Sequence, residues 1–139
     1  MTVKLKSILK GAGLSLGCLA LGLLGGAWWV LAVWEPEMNL SGYLQLIYLL
    51  AVWVGGMTAG YGAGSLPWRH GGVTGAITCS VLLVLQWLLV PTFYSWAPAL
   101  KLLGTGVIMG SFAGVVGQNL RRAAKRRQQV RKVVGFQKF

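Results

Sequence analysis

Residues 55–75 read GGMTAGYGAGSLPWRHGGVTG, from Gly55 to Gly75, with eight glycines in the stretch and almost wholly apolar sequence on either side. Gly56, Gly60 and Gly64 fall four apart. On a helix that spacing gives one face without side chains, against which a second backbone can close. Pro67 interrupts the pattern, Trp68 supplies an interfacial anchor, Arg69 and His70 make a polar turn, and Gly71 and Gly75 begin a second small-residue face. The stretch therefore predicts two apolar helices meeting across a very short turn.

Composition names the solvent. The chain of 139 residues is 55% hydrophobic and 11% charged, with a mean hydropathy of +0.65, too apolar for a water-soluble domain of this size. Its charge sits at the ends. Of thirteen Lys and Arg, three are Lys4, Lys6 and Lys10, eight lie from Arg121 onward, and only Arg69 and Lys101 are internal. A net charge of +11 so distributed suits anionic lipid, with nucleic acid as the other polyanion to weigh. Cys18 and Cys79 lie inside apolar segments and indicate no disulfide framework.

Outward from the glycine stretch, four spans are expected, at about residues 11–34, 41–64, 71–90 and 99–119. The first, at about 1.5 Å per residue, is long enough for about 30 Å of hydrocarbon. Bulky Trp28, Trp29 and Trp34 stand where a signal peptide needs small residues, so this segment reads as an uncleaved helix. Glu35 and Glu37, the only acids, make a short first loop with Pro36, and Thr92 to Trp96 make an aromatic turn. Counted by side, the N-terminus, second loop and tail carry twelve of the thirteen basic residues and the other loops only Lys101. Both termini are thus expected in the cytoplasm. Lys101 is expected to snorkel to the interface. Trp28, Trp29, Trp34, Tyr43, Trp87, Tyr94 and Trp96 mark the outer boundary, and Tyr61 and Trp68 the inner one. The expected fold is all-α: a transmembrane bundle of four antiparallel helices over residues 1–119, with a basic cytoplasmic tail over 120–139 that prolongs the fourth helix until Gly135.

The candidate helix-packing residues are Gly56, Gly60 and Gly64, Gly71 and Gly75, and Gly106, Gly110 and Gly114, with Gly13, Gly17, Gly22 and Gly26 offering the first span similar faces. Such faces serve packing within the chain or leave a surface for a partner subunit. Gly56-Met-Thr-Ala59-Gly60 also resembles Gly110-Ser-Phe-Ala113-Gly114, through duplication or through the abundance of small residues. Trp68, Arg69 and His70 are expected as interfacial groups, or as a titrating latch. One histidine supplies too few ligands for zinc.

No ionisable residue lies in the middle of an expected span. This removes the usual equipment for proton coupling or charged substrates. Gln45, Gln86, Thr58, Thr74, Thr78, Ser80, Thr105 and Ser111 could line a polar path, but hydroxyls commonly bond back to their own helix. One His, two Cys and two loop Glu do not assemble a nucleophile, base and orienting group. No enzyme activity, metal or cofactor is expected. Arg121, Arg122, Lys125, Arg126, Arg127, Arg131 and Lys132 are the candidates for contact with anionic lipid, or with RNA or the ribosome. The expected role is that of an accessory or assembly subunit in a larger membrane complex; a small homo-oligomeric channel or transporter is the alternative.

The Gly55-Gly56-Met-Thr-Ala59-Gly60-Tyr-Gly-Ala63-Gly64 series, followed by Trp68-Arg-His70-Gly71-Gly72 and Gly75, resembles the YrzE-like family of small four-helix membrane proteins of spore-forming Gram-positive bacteria. The resemblance implies a bacterial plasma-membrane protein of largely uncharacterised function. It carries over no catalytic or binding residue, and the long basic tail departs from its pattern.

Overall fold

A computed structural model describes residues 5–32, 40–89 and 96–136, with side chains left aside at 40–41, 89 and 130–136. The acidic first loop with Glu35 and Glu37, most of the aromatic turn, Trp34, Lys4 and Lys138 lie outside the described residues, as do the side chains of Arg131 and Lys132. All the regular structure described is helical: α1 (Leu5–Ala32), α2 (Leu40–Gly62), α3 (Pro67–Leu89) and α4 (Trp96–Phe136). Each is long and apolar enough to cross a membrane.

The helices outrun the expected spans where charge ends the apolar run. Lys6 and Lys10 lie within α1, and α4 continues past Arg121 and Gly135 as one helix of 41 residues. Lys and Arg are good helix formers, so they close a hydrophobic stretch without closing the helix. At about 1.5 Å per residue α4 is about 62 Å long, twice the hydrocarbon thickness of about 30 Å. Two of the four prolines, Pro67 and Pro98, lie in first turns of helices. Pro67 opens α3, where a fixed φ suits the first position. Pro98 sits third in α4, where the missing N–H has no intrahelical acceptor to lose.

Residues 63–66 connect α2 to α3. The Ala63 amide still reaches the carbonyls of Ala59 and Gly60, and the Arg69 amide reaches Leu66. Gly64 therefore stands in the turn, beyond the end of α2, and does not continue the helical face of Gly56 and Gly60. The left-handed residue here is Leu66, at φ 50°, whereas no described glycine has a positive φ. Such a conformation costs an L-residue about 1–2 kcal/mol. Leu66→Gly is accordingly expected to raise stability by about 1 kcal/mol, read as a higher thermal midpoint in detergent.

Among the described residues α2 and α3 pack on each other and both touch α1 and α4, while α1 and α4 do not meet. The interior is built of small side chains: Ser15, Ala51, Ala59, Thr74, Thr78, Cys79 and Ala113 are fully buried. Large apolar groups face outward, Leu31 at 79% and Trp96 at 83% exposure among them. In water this surface would be a continuous aggregation site. In lipid it is the solvated face.

Candidate functional site

The glycines of the second, third and fourth helices converge on one node. A Cβ added to Gly56 would lie 2.8 Å from the Gly110 carbonyl oxygen and 2.9 Å from the Ala113 Cβ, and one added to Gly60 would collide with the Gly114 backbone. The two similar pentapeptides thus lie against each other, each Gly facing its counterpart. From α3, Gly71 meets the backbone of Gly110 and Gly114, and Gly75 that of Gly106. Seven of the eight expected packing glycines therefore share this node, and Gly64 does not.

On the other side of α2, Gly11 approaches Gly55, whose oxygen would lie 2.6 Å from an added Cβ, while Gly22 meets Ile47 and Gly26 meets Tyr43. Gly13 and Gly17 face nothing within 4 Å, so these two form a bare patch on α1.

His70 is in the first turn of α3 and only 3% exposed. Its Nδ1 lies 3.1 Å from the Leu66 carbonyl oxygen, tying the ring to the strained turn. Thr74 donates to the His70 carbonyl at 2.8 Å. Thr78 Oγ1 lies 2.9 Å from the Thr74 carbonyl and 3.1 Å from Ser15 Oγ, and Ser7 donates to Ala59 at 2.7 Å. Spacing alone could have found this column: 70, 74 and 78 fall four apart, like the glycines beside them. Thr58, Thr74, Thr78, Thr105 and Ser111 each bond the carbonyl four residues back. Their protons are thereby committed to their own helices, while each oxygen keeps acceptor capacity.

Trp68 and Arg69 are exposed, and the guanidinium sits 5.2 Å above the Trp68 ring. Arg121 donates from Nη1 to the Ala63 carbonyl at 2.9 Å, bracing α4 against the end of α2. Arg122, Lys125, Arg126 and Arg127 are exposed beyond that brace.

A second polar contact has no forerunner in the sequence pattern. Tyr48 Oη donates to the Leu102 carbonyl at 3.0 Å and lies 3.0 Å from Cys79 Sγ, either atom serving as donor in that pair, while the thiol also lies 3.6 Å from the Leu102 carbonyl. Gly106 makes room for both side chains. Beyond this contact the helices splay, leaving a cleft of about 620 Å³ that all four of them line. Leu19, Leu44, Leu82 and Leu102 are among its walls, with Gln45, Gln86, Lys101 and Thr105 as polar members. Among the described residues no group of three or more His, Cys, Asp or Glu could hold a metal ion.

Four helices of membrane-crossing length, small residues inside and large apolar ones outside, define a small multi-pass membrane protein. Residues 4–117 match a family described as "Protein of unknown function (DUF3792)", and the chain belongs to that family. That description carries no YrzE-like name. No curated protein and no solved structure matches the chain.

Proposed function

We propose that the chain is a non-enzymatic accessory or assembly subunit of the bacterial plasma membrane, an antiparallel bundle closed by a glycine zipper, with both termini cytoplasmic. The basic tail meets anionic lipid headgroups at that face, and the YrzE-like kinship belongs to the same reading. The contact order supports the topology: Gly11 opposes Gly55 whereas Gly26 opposes Tyr43, and Gly71 opposes Gly114 whereas Gly75 opposes Gly106.

One observation carries the accessory role. The zipper glycines are spent on the chain's own backbones, yet Gly13 and Gly17 stand bare on α1, a helix with no contact to α4. In lipid, small residues that leave a backbone approachable favour a second helix.

The test compares the wild-type chain with Gly17→Leu, both extracted from native membranes in mild detergent. The wild type is expected to sediment with a larger complex, and the variant as a lone chain with an unchanged thermal midpoint. If both run as lone chains, the accessory role fails. A defined homo-oligomer that moves solute in liposomes favours the channel or transporter reading instead.

A further inference from the structure

We infer that the splayed end of the bundle is a lipid site: one acyl chain of an anionic glycerophospholipid lies between the leucines of the cleft, and its phosphate meets Lys101. The volume of about 620 Å³ falls within the usual range of about 300–1,000 Å³ for small-molecule sites. Water is a poor occupant. A buried water needs two to four polar partners; Gln45, Gln86, Lys101 and Thr105 offer these at their own positions, but along Leu19, Leu44, Leu82 and Leu102 the lining is hydrocarbon. Emptiness is no better, because unfilled space forfeits dispersion contacts along every wall. An acyl chain supplies them.

Charge makes the occupant anionic. Lys101 lies on the wall five residues after Trp96 begins α4, about 7.5 Å along the helix. Its flexible stem lets the ammonium reach the interface, where a lipid phosphate is the complementary group, as in basic pockets between membrane helices. Gln86 sits three residues from the end of α3 and Gln45 five from the start of α2, so both are near Lys101 in depth and offer amide donors to phosphate or ester oxygens. Leu19, Leu82 and Leu102 lie deeper. Gln45, Gln86 and Lys101 stand toward the mouth beside Leu44 and Leu85, and the deeper lining is mainly apolar with Thr105 as a polar member, a gradient that suits an amphiphile entering tail first. The Tyr48, Cys79 and Gly106 contact closes the floor.

The experiment uses the full chain in phosphatidylcholine vesicles containing trace spin-labelled phosphatidylglycerol or phosphatidylcholine, and reads the motionally restricted fraction. On top of the preference that the basic ends contribute, Lys101 is expected to raise the restriction of phosphatidylglycerol over phosphatidylcholine about fivefold at the cleft. Lys101→Gln should remove that margin, and Leu82→Trp should expel restricted lipid of both kinds. The basic ends of α1 and α4 lie at the other end of the bundle and act alike in all three proteins, so the differences isolate the cleft. An unchanged preference in Lys101→Gln overturns the site. So does an unchanged preference joined to a lower thermal midpoint, which would assign Lys101 to a carboxylate of its own chain. Undiminished restricted lipid in a folded Leu82→Trp overturns it as well. The site stands or falls independently of the accessory role, which is read by sedimentation.

Discussion

Gly60→Leu is expected to separate α2 from α4 and to cost more than about 3 kcal/mol, the upper end of ordinary overpacking. The obstacle is backbone: an added Cβ meets the Cα, C and O of Gly114, which no rotamer change can move aside. Nor can α4 retreat freely. The same stretch of α4 is held at Gly71 and Gly75 of α3, so a shift that admits a side chain at position 60 disturbs the α3–α4 contact too. Lipid offers no hydrophobic drive to bring parted helices back together, and close packing is the main attraction lost. Gly13→Ala and Gly17→Ala form the control, since open space surrounds both. They should be neutral, or gain up to about 1 kcal/mol from helix propensity. Thermal midpoints of the purified chains, followed by size-exclusion elution after heating in detergent, check both halves. A Gly60→Leu midpoint equal to that of the wild type would sink the zipper.

Four apolar runs and a four-residue glycine spacing were legible in the chain because lipid enforces both: spans must cover the hydrocarbon, and backbones that touch must lack side chains. Helix ends were less legible, for two reasons. Lys6, Lys10 and Arg121 end hydrophobicity but not helicity, and Pro67 and Pro98 look like breakers while occupying first turns. Gly64 kept the spacing yet fell past the end of α2, since spacing alone cannot place a terminus. His70 was expected at the interface because histidine is polar; its position four residues before Thr74 instead sets it on the face that α3 buries. The Tyr48–Cys79 pair and the cleft depend on how far the helices splay. Splay is a tertiary property with no periodic signature.

Trypsin added to inside-out membrane vesicles is expected to remove the end of α4 and leave the bundle intact, while right-side-out vesicles keep the tail. The contacts explain why one face should be so different from the other. Ser7 bonds Ala59 and Arg121 bonds Ala63, which sets the start of α1, the α2–α3 turn and the emergence of α4 at one end of the bundle. Lys6, Lys10, Arg69 and the arginines from Arg121 onward therefore share an end, and Lys101 lies toward the other. Positive charge near span ends is retained on the cytoplasmic side, which is the basis for the proposed orientation. Past the Arg121 brace, residues 122–136 continue as helix for about 22 Å at about 1.5 Å per residue. Arg122, Lys125, Arg126 and Arg127 are exposed along it. Charges within one Debye length of the headgroups, about 8–10 Å, are attracted to an anionic leaflet, and the exposed lysine and arginines along this helix are the trypsin sites. A C-terminal epitope followed by blotting reads the loss, and an N-terminal one the survival of the bundle. Cleavage confined to right-side-out vesicles would invert the orientation, and protection from both sides would place the end of α4 flat against lipid along its whole length.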